Sequence, residues 1–359
     1  MRKKVVHFTT TIDNGGAENH LRDLITYQTS RYDVSVVYFK GNPHYLEYYE
    51  GLNVNVYKSS WWKVLRNTRI IHSADIVHAH LIYSEIAIYL TRVFKNKIYL
   101  VSKHNDAYYP YIYKWMARLI FPQVNKRFSK VICITDNVRK YCVEYQNLNQ
   151  SRLQVIYYGI NTNIFTNISK EEVVDLREKI LEKNDGILIG VVARLHRQKR
   201  LDILLRALHH FKDSNWKLVI AGEGNEKESL LKLSKNLTID DKVKFLGKVN
   251  YVPQLMNSLD LFVLPSEHEG LGLVLLEAMS TSAHIIGSDA GAIPEVLGQH
   301  GRIFKTNSVE SLSSLLGQYM EGIQTISSSE IELRRRRLKS VFDIEKNYNI
   351  ICSLYGESF

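Results

Sequence analysis

The chain has 359 residues, 45% of them apolar, three cysteines and a formal net charge of +10. That length favours two domains over one, and cysteines without CxxC spacing or a histidine cluster nearby argue against a disulfide framework or zinc site and for a reducing compartment. No apolar run approaches the ~18 residues that span a bilayer, and the cation excess suits an acidic partner: nucleic acid, an anionic membrane face or a phosphorylated substrate.

Residues Met1–Phe8 run from basic to apolar, but the run breaks at Thr9-Thr10-Thr11 and enters a glycine turn, so a first strand is expected there rather than a secretion signal. Buried strands are predicted at Val5–Thr9, Val34–Phe39, Ile76–His78, Ile98–Ser102 and Val131–Ile134, with helical spacing in segments such as Ala17–Ser30 and Ser84–Phe94. After Tyr158-Gly159-Ile160-Asn161 and a polar helix around Lys170–Lys183 the pattern restarts, with strands at Ile187–Val192, Trp216–Ala221, Val243–Leu246, Leu261–Leu264 and His284–Ser288. Short apolar strands alternating with helices predict parallel sheets covered on both faces. The expected fold is therefore α/β: two Rossmann-like, doubly wound domains joined near residues 158–168, with boundaries at 1–162 and 163–335. Ligands in such sheets sit beyond the carboxyl ends of the strands, and the two edges are expected to face each other across a cleft. The stretch Leu333–Tyr355 reads as helical, with Arg334–Arg337 on a solvated face.

The richest stretch is Leu264–Val296, LPSEHEGLGLVLLEAMSTSAHIIGSDAGAIPEV. A strand ends at Leu264-Pro265 and a helix starts around Leu271–Leu273; Glu269 falls in the turn with Gly270 and Gly272, and Glu277 falls on the helix. Glycines let a backbone approach a ligand, and unpaired N–H groups at a helix start suit a phosphate. Eight positions do not bring two carboxylates to one helix face, so a loop–helix split is the geometry in which both serve one ligand. Ala193–Lys199 (ARLHRQK) leaves a strand and precedes a helix near Leu201, supplying Arg194 and Lys199 for a diphosphate. Gly222 and Gly224 end another strand, and Thr11–Glu18 (TIDNGGAE) opens the first helix with Gly15-Gly16.

The order GGAE, ARLHRQK, AGEG, FLG, EGLGLVLLEAM and PEV resembles the family 4 retaining glycosyltransferases of GT-B architecture, over nearly the whole chain and most strongly from Gly190 to Gly301. The resemblance implies an N-terminal acceptor-binding domain, a C-terminal nucleotide-sugar-binding domain and a C-terminal helix, 336–359, returning toward the first. It also implies roles. Arg194 and Lys199 would neutralise the donor diphosphate, Glu269 would contact the transferred sugar, and Gly270, Leu271, Gly272 and Leu273 would offer backbone amides. Glu277 would bind the ribose, with Gly222 beside the donor. Gly15 and Gly16 would line the donor–acceptor junction, and His104 matches the position of an active-site histidine. His80 and His78 lie at another strand end, where a structural or acceptor-lining role is expected. The chain departs from the family, which has glycine where Ala193 and Arg200 stand and glycine and proline around Ser282 and His284; these changes bear on donor preference and activity.

No Asp-x-Asp motif or metal-ligand cluster is evident, so a metal-independent enzyme without cofactor is expected, in which the leaving phosphate assists same-face attack by an acceptor hydroxyl. Two stretches pair aromatic residues with cations, Tyr57–Arg69 and Tyr108–Arg127, the second resembling an interfacial helix. They suit an anionic membrane surface and a glycan or polyprenyl-linked acceptor in cell-surface polysaccharide synthesis, at the cytoplasmic face of a bacterial plasma membrane. A nucleotide-sugar epimerase of the same fold is the main alternative. A dinucleotide oxidoreductase lacks its G-x-G-x-x-G after the first strand, and no recognisable motif supports nucleic-acid binding.

Overall fold

In an all-parallel sheet covered by helices on both faces, strands read as unbroken runs of aliphatic residues, and that is how the central strands of this chain fold. The computed structural model describes residues 2–13, 15–60, 62–91, 96–104, 114–182, 185–322 and 325–356. Contacts divide the chain into two units: Met1–Tyr158 with Ile344–Phe359, and Gly159–Asp343. Both are α/β.

The first unit holds β1 (Lys4–Thr9), β2 (Asp33–Tyr38), β3 (Asn55–Lys58), β4 (Ile76–His80), β5 (Ile98–Lys103), β6 (Lys130–Cys133) and β7 (Leu153–Val155), ordered β3-β2-β1-β4-β5-β6-β7. All of these pairings are parallel. The second holds β8 (Ile187–Val192), β9 (Trp216–Ala221), β10 (Val243–Gly247), β11 (Leu261–Leu264), β12 (His284–Ser288) and β13 (Arg302–Phe304), ordered β10-β9-β8-β11-β12-β13, again all parallel. In each sheet the strand order reverses at one crevice, between β1 and β4 and between β8 and β11. Such a reversal is where doubly wound sheets take ligands.

Four strands, β8, β9, β11 and β12, have the predicted limits. β3, β7 and β13 were not predicted; they are short strands of three or four residues, each outermost in its sheet or next to it. The expected helix from Leu333 to Tyr355 is two helices, Ser328–Val341 and Ile344–Ser353. The break is fixed by Phe342, fully buried, whose carbonyl accepts from the Ile160 N–H at 2.9 Å. Of Arg334–Arg337, only Arg335 and Arg336 form the expected solvated face. Arg334 is 3% exposed and donates to the Ala283 carbonyl at 2.7 Å, and Arg337 donates to the carbonyls of Val296 and Glu295 at 3.1 and 2.6 Å. A guanidinium satisfies several carbonyls at once, which lets two arginines anchor this helix to the second unit.

The helix Ile344–Ser353 and the turn after it belong to the first unit's core, where Tyr348, Ile351, Cys352 and Tyr355 pack with Leu24, Tyr32 and Val36. The three cysteines are free thiols and buried. No described helix is long and apolar enough to cross a membrane. Of the aromatic–basic stretches, Trp61 and Tyr108–Tyr113 lie outside the described residues; the helix Lys114–Asn125 turns Phe121 and Val124 inward and leaves Leu119 and Ile120 exposed. Because Tyr355 is fully buried, Tyr355→Ala should lower the unfolding free energy by about 3–5 kcal/mol. Urea titration checks this, and a loss below about 1 kcal/mol would mean the terminal turn is not core.

Candidate functional site

At the β8/β11 crevice, close backbone approach places the charged groups. Beyond β8 and β9 the ladder continues, with Ala193 N–H donating to Ala221 at 3.0 Å and Leu195 N–H to Glu223 at 2.8 Å. Gly222 has φ +133°, and a Cβ there would overlap the Ala193 carbonyl; one on Gly224 would overlap that of Leu195. Only glycine fits both constraints at Gly222. The extension carries Arg194 past the sheet edge, where its exposed guanidinium makes no side-chain hydrogen bond or ion pair among the described residues.

Five residues on, Lys199 closes a short 3-10 turn and its ammonium pairs with the Glu269 carboxylate, both groups largely buried. Ser266 Oγ donates to the same carboxylate at 2.8 Å, and its own carbonyl accepts from Ser288 at 2.5 Å. Glu269 is braced from behind, where Ala292 N–H donates to its carbonyl at 3.0 Å. Gly291, at φ +54°, has no room for a Cβ against that backbone. Gln198 ties the two loops together, accepting from Glu267 N–H at 2.9 Å and donating to the His268 carbonyl at 2.7 Å. Gly270, Leu271 and Gly272 complete the turn, with Gly272 at φ +77° as N-cap of the helix Leu273–Met279.

Glu277 sits on that helix, partly buried, and makes no side-chain hydrogen bond among the described residues. Burial alone raises its pKa to about 7. Lys199 and Glu269, seventy residues apart in sequence, are thus in direct contact. Arg194, just past β8, and Glu277, on the helix after β11, stand outside that pair, each a titratable side chain without a hydrogen bond or ion pair among the described residues.

Two departures from the family pattern have local explanations. Arg200 adopts φ +49°, the left-handed conformation glycine takes without strain. Its guanidinium is held by Asp202 at 3.1 Å and Glu267 at 3.3 Å, which neutralises a cation otherwise unfavourable at a helix start. Ser282 and His284 lie at the amino end of β12, the edge opposite the charged cluster, where the His284 ring meets Tyr319 at 5.1 Å. They therefore lie away from the Lys199–Glu269 pair.

In the first unit, the helix Gly16–Gln28 starts at the carboxyl end of β1 with Gly15 as its extended N-cap, and nothing lies within 4 Å of where a Gly16 Cβ would stand. Beneath it is a group that sequence spacing alone does not reveal: five buried imidazoles, His7, His20, His78, His80 and His104, all below 5% exposure. Parallel register sets His7 beside His78 and Thr9 beside His80. His7 Nδ1 meets His80 Nε2 at 3.0 Å, and His80 Nδ1 meets His104 Nε2 at 3.1 Å. His7 Nε2 meets Gln28 Oε1 at 2.7 Å. His78 bonds Tyr355 at 2.7 Å and Ser102 at 2.8 Å, and His20 stacks on Tyr158 at 3.6 Å. Desolvation lowers the pKa of every one, His7 to about 4 and His104 to about 3.

Of the two roles expected for His80, structural or acceptor-lining, its surroundings fit the structural one: it is 1% exposed and both ring nitrogens are taken by His7 and His104. His104 differs, since its Nδ1 is buried without a partner among the described residues, as is the Tyr158 hydroxyl on a ring 5.6 Å away. One nitrogen from each of His7, His78 and His80 lies within 4.8 Å of the others. That spacing suits a metal, but both nitrogens of each ring are already spent on protein partners, so an ion would have to break those bonds.

Two family profiles match the chain: Glycosyltransferase Family 4 over residues 14–164 and Glycosyl transferases group 1 over residues 173–332. An uncharacterised glycosyltransferase of Methanocaldococcus jannaschii is 35% identical over 47% of this chain, a match spanning less than half of that relative, 44%. The O-antigen biosynthesis glycosyltransferase WclY of Escherichia coli is 26% identical over 79% of this chain and 80% of its own length. Among solved structures, Anabaena HepE in complex with UDP superposes with a TM-score of 0.86, covering 98% of this chain and 99% of its own, at 19% identity. That likeness concerns the fold.

Because the folded state resists ionising Glu277 until about pH 7, while the unfolded chain ionises it near pH 4.5, its burial erodes stability as pH rises through that window. Glu277→Gln should therefore raise the melting temperature relative to the parent at about pH 8 and leave it nearly unchanged at about pH 4.5. An equal shift at both, measured by calorimetry, would show that the carboxyl is not desolvated.

Proposed function

The chain belongs to the family 4, group 1 glycosyltransferases, and from that premise we propose that it is a retaining, metal-independent enzyme moving a sugar from a nucleotide diphosphate to a hydroxyl acceptor. The observation that carries the reading is the Lys199–Glu269 pair at the β8/β11 crevice, with an unpartnered guanidinium at Arg194 and an unpartnered carboxyl at Glu277 on the same edge. In this reading Arg194 and Lys199 receive the diphosphate, whose charge grows as the glycosidic bond breaks. The amides from Gly270 to Leu273 add donors, Glu277 accepts from the ribose, and Gly222 keeps the backbone low beside the donor.

Lys199 is held by Glu269 until a ligand arrives. An incoming diphosphate competes for the ammonium and releases Glu269 to accept from sugar hydroxyls, so one ion pair serves both ends of the donor. Retention follows from same-face attack, the departing phosphate oxygen taking the acceptor's proton, with Glu269 engaged as a hydrogen-bond acceptor rather than a covalent nucleophile. Gly15, Gly16 and His104 serve the transferred sugar and acceptor side. WclY's part in O-antigen biosynthesis supports a surface-glycan acceptor, and the glycosyltransferase relatives named above do not favour the epimerase alternative.

Arg194→Ala should lower kcat/KM about 10²- to 10³-fold, and an unchanged value in a donor-turnover assay would refute the diphosphate role. In a thermal-shift panel of nucleotide sugars, the true donor at 100 times its Kd should add about 2.7 kcal/mol of stability; no response to any member would remove the reading.

A membrane-linked acceptor is favoured by exposed apolar groups beside cations. Leu119 and Ile120 are 65% and 45% exposed next to Arg118, and Trp62 is 66% exposed. We infer peripheral attachment to an anionic, cytoplasmic membrane face. Flotation with anionic liposomes should carry the protein upward, and Leu119→Glu with Ile120→Glu should abolish it. Equal recovery of both proteins would contradict attachment.

A further inference from the structure

The histidine row of the first unit has a direction, and one amide sets it. Gln28 places Oε1 toward His7 Nε2 at 2.7 Å, while its Nε2 faces the Tyr355 hydroxyl at 3.1 Å and Cys352 Sγ at 3.9 Å. A carbonyl oxygen only accepts, so His7 carries its proton on Nε2 and, being neutral, offers a bare Nδ1. His80 must then donate from Nε2 to His7, leaving its own Nδ1 bare for His104 Nε2. The sequence ends at His104 Nδ1, a lone pair buried without a partner among the described residues. Turning the Gln28 amide over would reverse every bond and leave a buried N–H orphan there instead, the rarer and costlier kind.

We propose that Gln28, His7 and His80 are positioning residues that fix the tautomer of His104, so that its Nδ1 accepts a hydrogen bond from a sugar hydroxyl. The assignment of a sugar as ligand rests on the glycosyltransferase reading; the direction of the row does not. This row also tells what His104 does not do. A proton taken up at His104 Nδ1 has no relay inward along this row, because an amide stands at its far end and takes none. Burial also holds the His104 pKa at about 3, far below the range of a useful base near neutrality. His104 therefore orients a hydroxyl and leaves deprotonation to the departing phosphate.

The experiment is long-range proton–nitrogen NMR on the full-length protein labelled in histidine, which distinguishes protonated from bare ring nitrogens. His7, His80 and His104 should each show the proton on Nε2, unchanged between about pH 5.5 and 8 and unmoved by added Zn²⁺. A proton on His104 Nδ1, titration of His104 within that range, or a zinc-dependent shift of His7 and His80 would each overturn the proposal. In kinetics, Gln28→Met, which removes the carbonyl at similar size, should lower kcat about tenfold, the worth of one hydrogen bond, with the donor KM little changed. Gln28→Glu, which keeps an acceptor toward His7, should recover most of that loss. Wild-type kcat in Gln28→Met, or no recovery in Gln28→Glu, would assign the row a structural role only; if Gln28→Met does not fold, the wild-type NMR result decides alone. A protein that binds no nucleotide sugar yet shows the Nε2 pattern would sink the glycosyltransferase reading while leaving the row's direction standing.

Discussion

The arrangement at the second unit's site depends on the distance between two backbones. Past the ends of β8 and β9 the chains stay hydrogen-bonded for several more residues, and they do so only because Gly222 and Gly224 present no Cβ to the carbonyls of Ala193 and Leu195. That contact determines where Arg194 leaves the sheet and where the Lys199 turn begins. Gly291 does the same for the other flank, letting the loop after β12 brace the Glu269 backbone. Three glycines thus fix the frame into which the charged side chains fit. Charges on loops this tightly held need little reorganisation when a ligand's charge develops.

The two units prepare their crevices by opposite electrostatic means. In the second, an ion pair and a bare guanidinium are kept at the edge, with a carboxyl that burial holds back from ionising, the last two without a side-chain partner among the described residues. In the first, five imidazoles are packed beneath the sheet edge and burial keeps them neutral. Packing titratable rings this closely is tolerable because each charged form is expensive for its neighbours as well as for itself. Neutrality in turn makes tautomers fixed rather than fluctuating, since each ring in the row has one nitrogen that must donate and one that must accept. The first unit therefore offers direction without charge, and the second offers charge without an extended row.

Much of this was legible in the sequence. Buried parallel strands are continuous apolar runs, so β8, β9, β11 and β12 could be delimited to the residue; Arg194, Lys199 and Glu269 stood out because they follow those runs at strand ends, and Glu277 because it falls on the helix that comes next. The short outer strands were not legible: a three-residue strand such as Leu153–Val155 carries too few residues for a period. Nor was the histidine row, because His7, His80 and His104 become neighbours only through the register of β1 and β4 and the end of β5. Arg334 and Arg337 misled for a related reason. A run of four arginines looks like a solvated face until one knows which carbonyls lie opposite.

Arg200 is the residue where the sequence pattern and the backbone disagree most, and the disagreement explains itself. The left-handed conformation favours glycine, and a side chain there costs on the order of 1 kcal/mol. A side chain able to form bonds can recover that cost, and Arg200 engages Asp202, Glu267 and Asn307. Glu267 lies two residues before Glu269, and its N–H is already held by Gln198. A glycine at this position would leave the Glu267 carboxylate without that partner, and the loop would be tied to the helix start only through Gln198 and Lys199. With arginine, the segment leading into Glu269 is held by side chain and backbone together. The departure from the family's glycine thus tightens the loop that carries Glu269, exchanging local backbone ease for a stiffer approach to the Lys199–Glu269 pair.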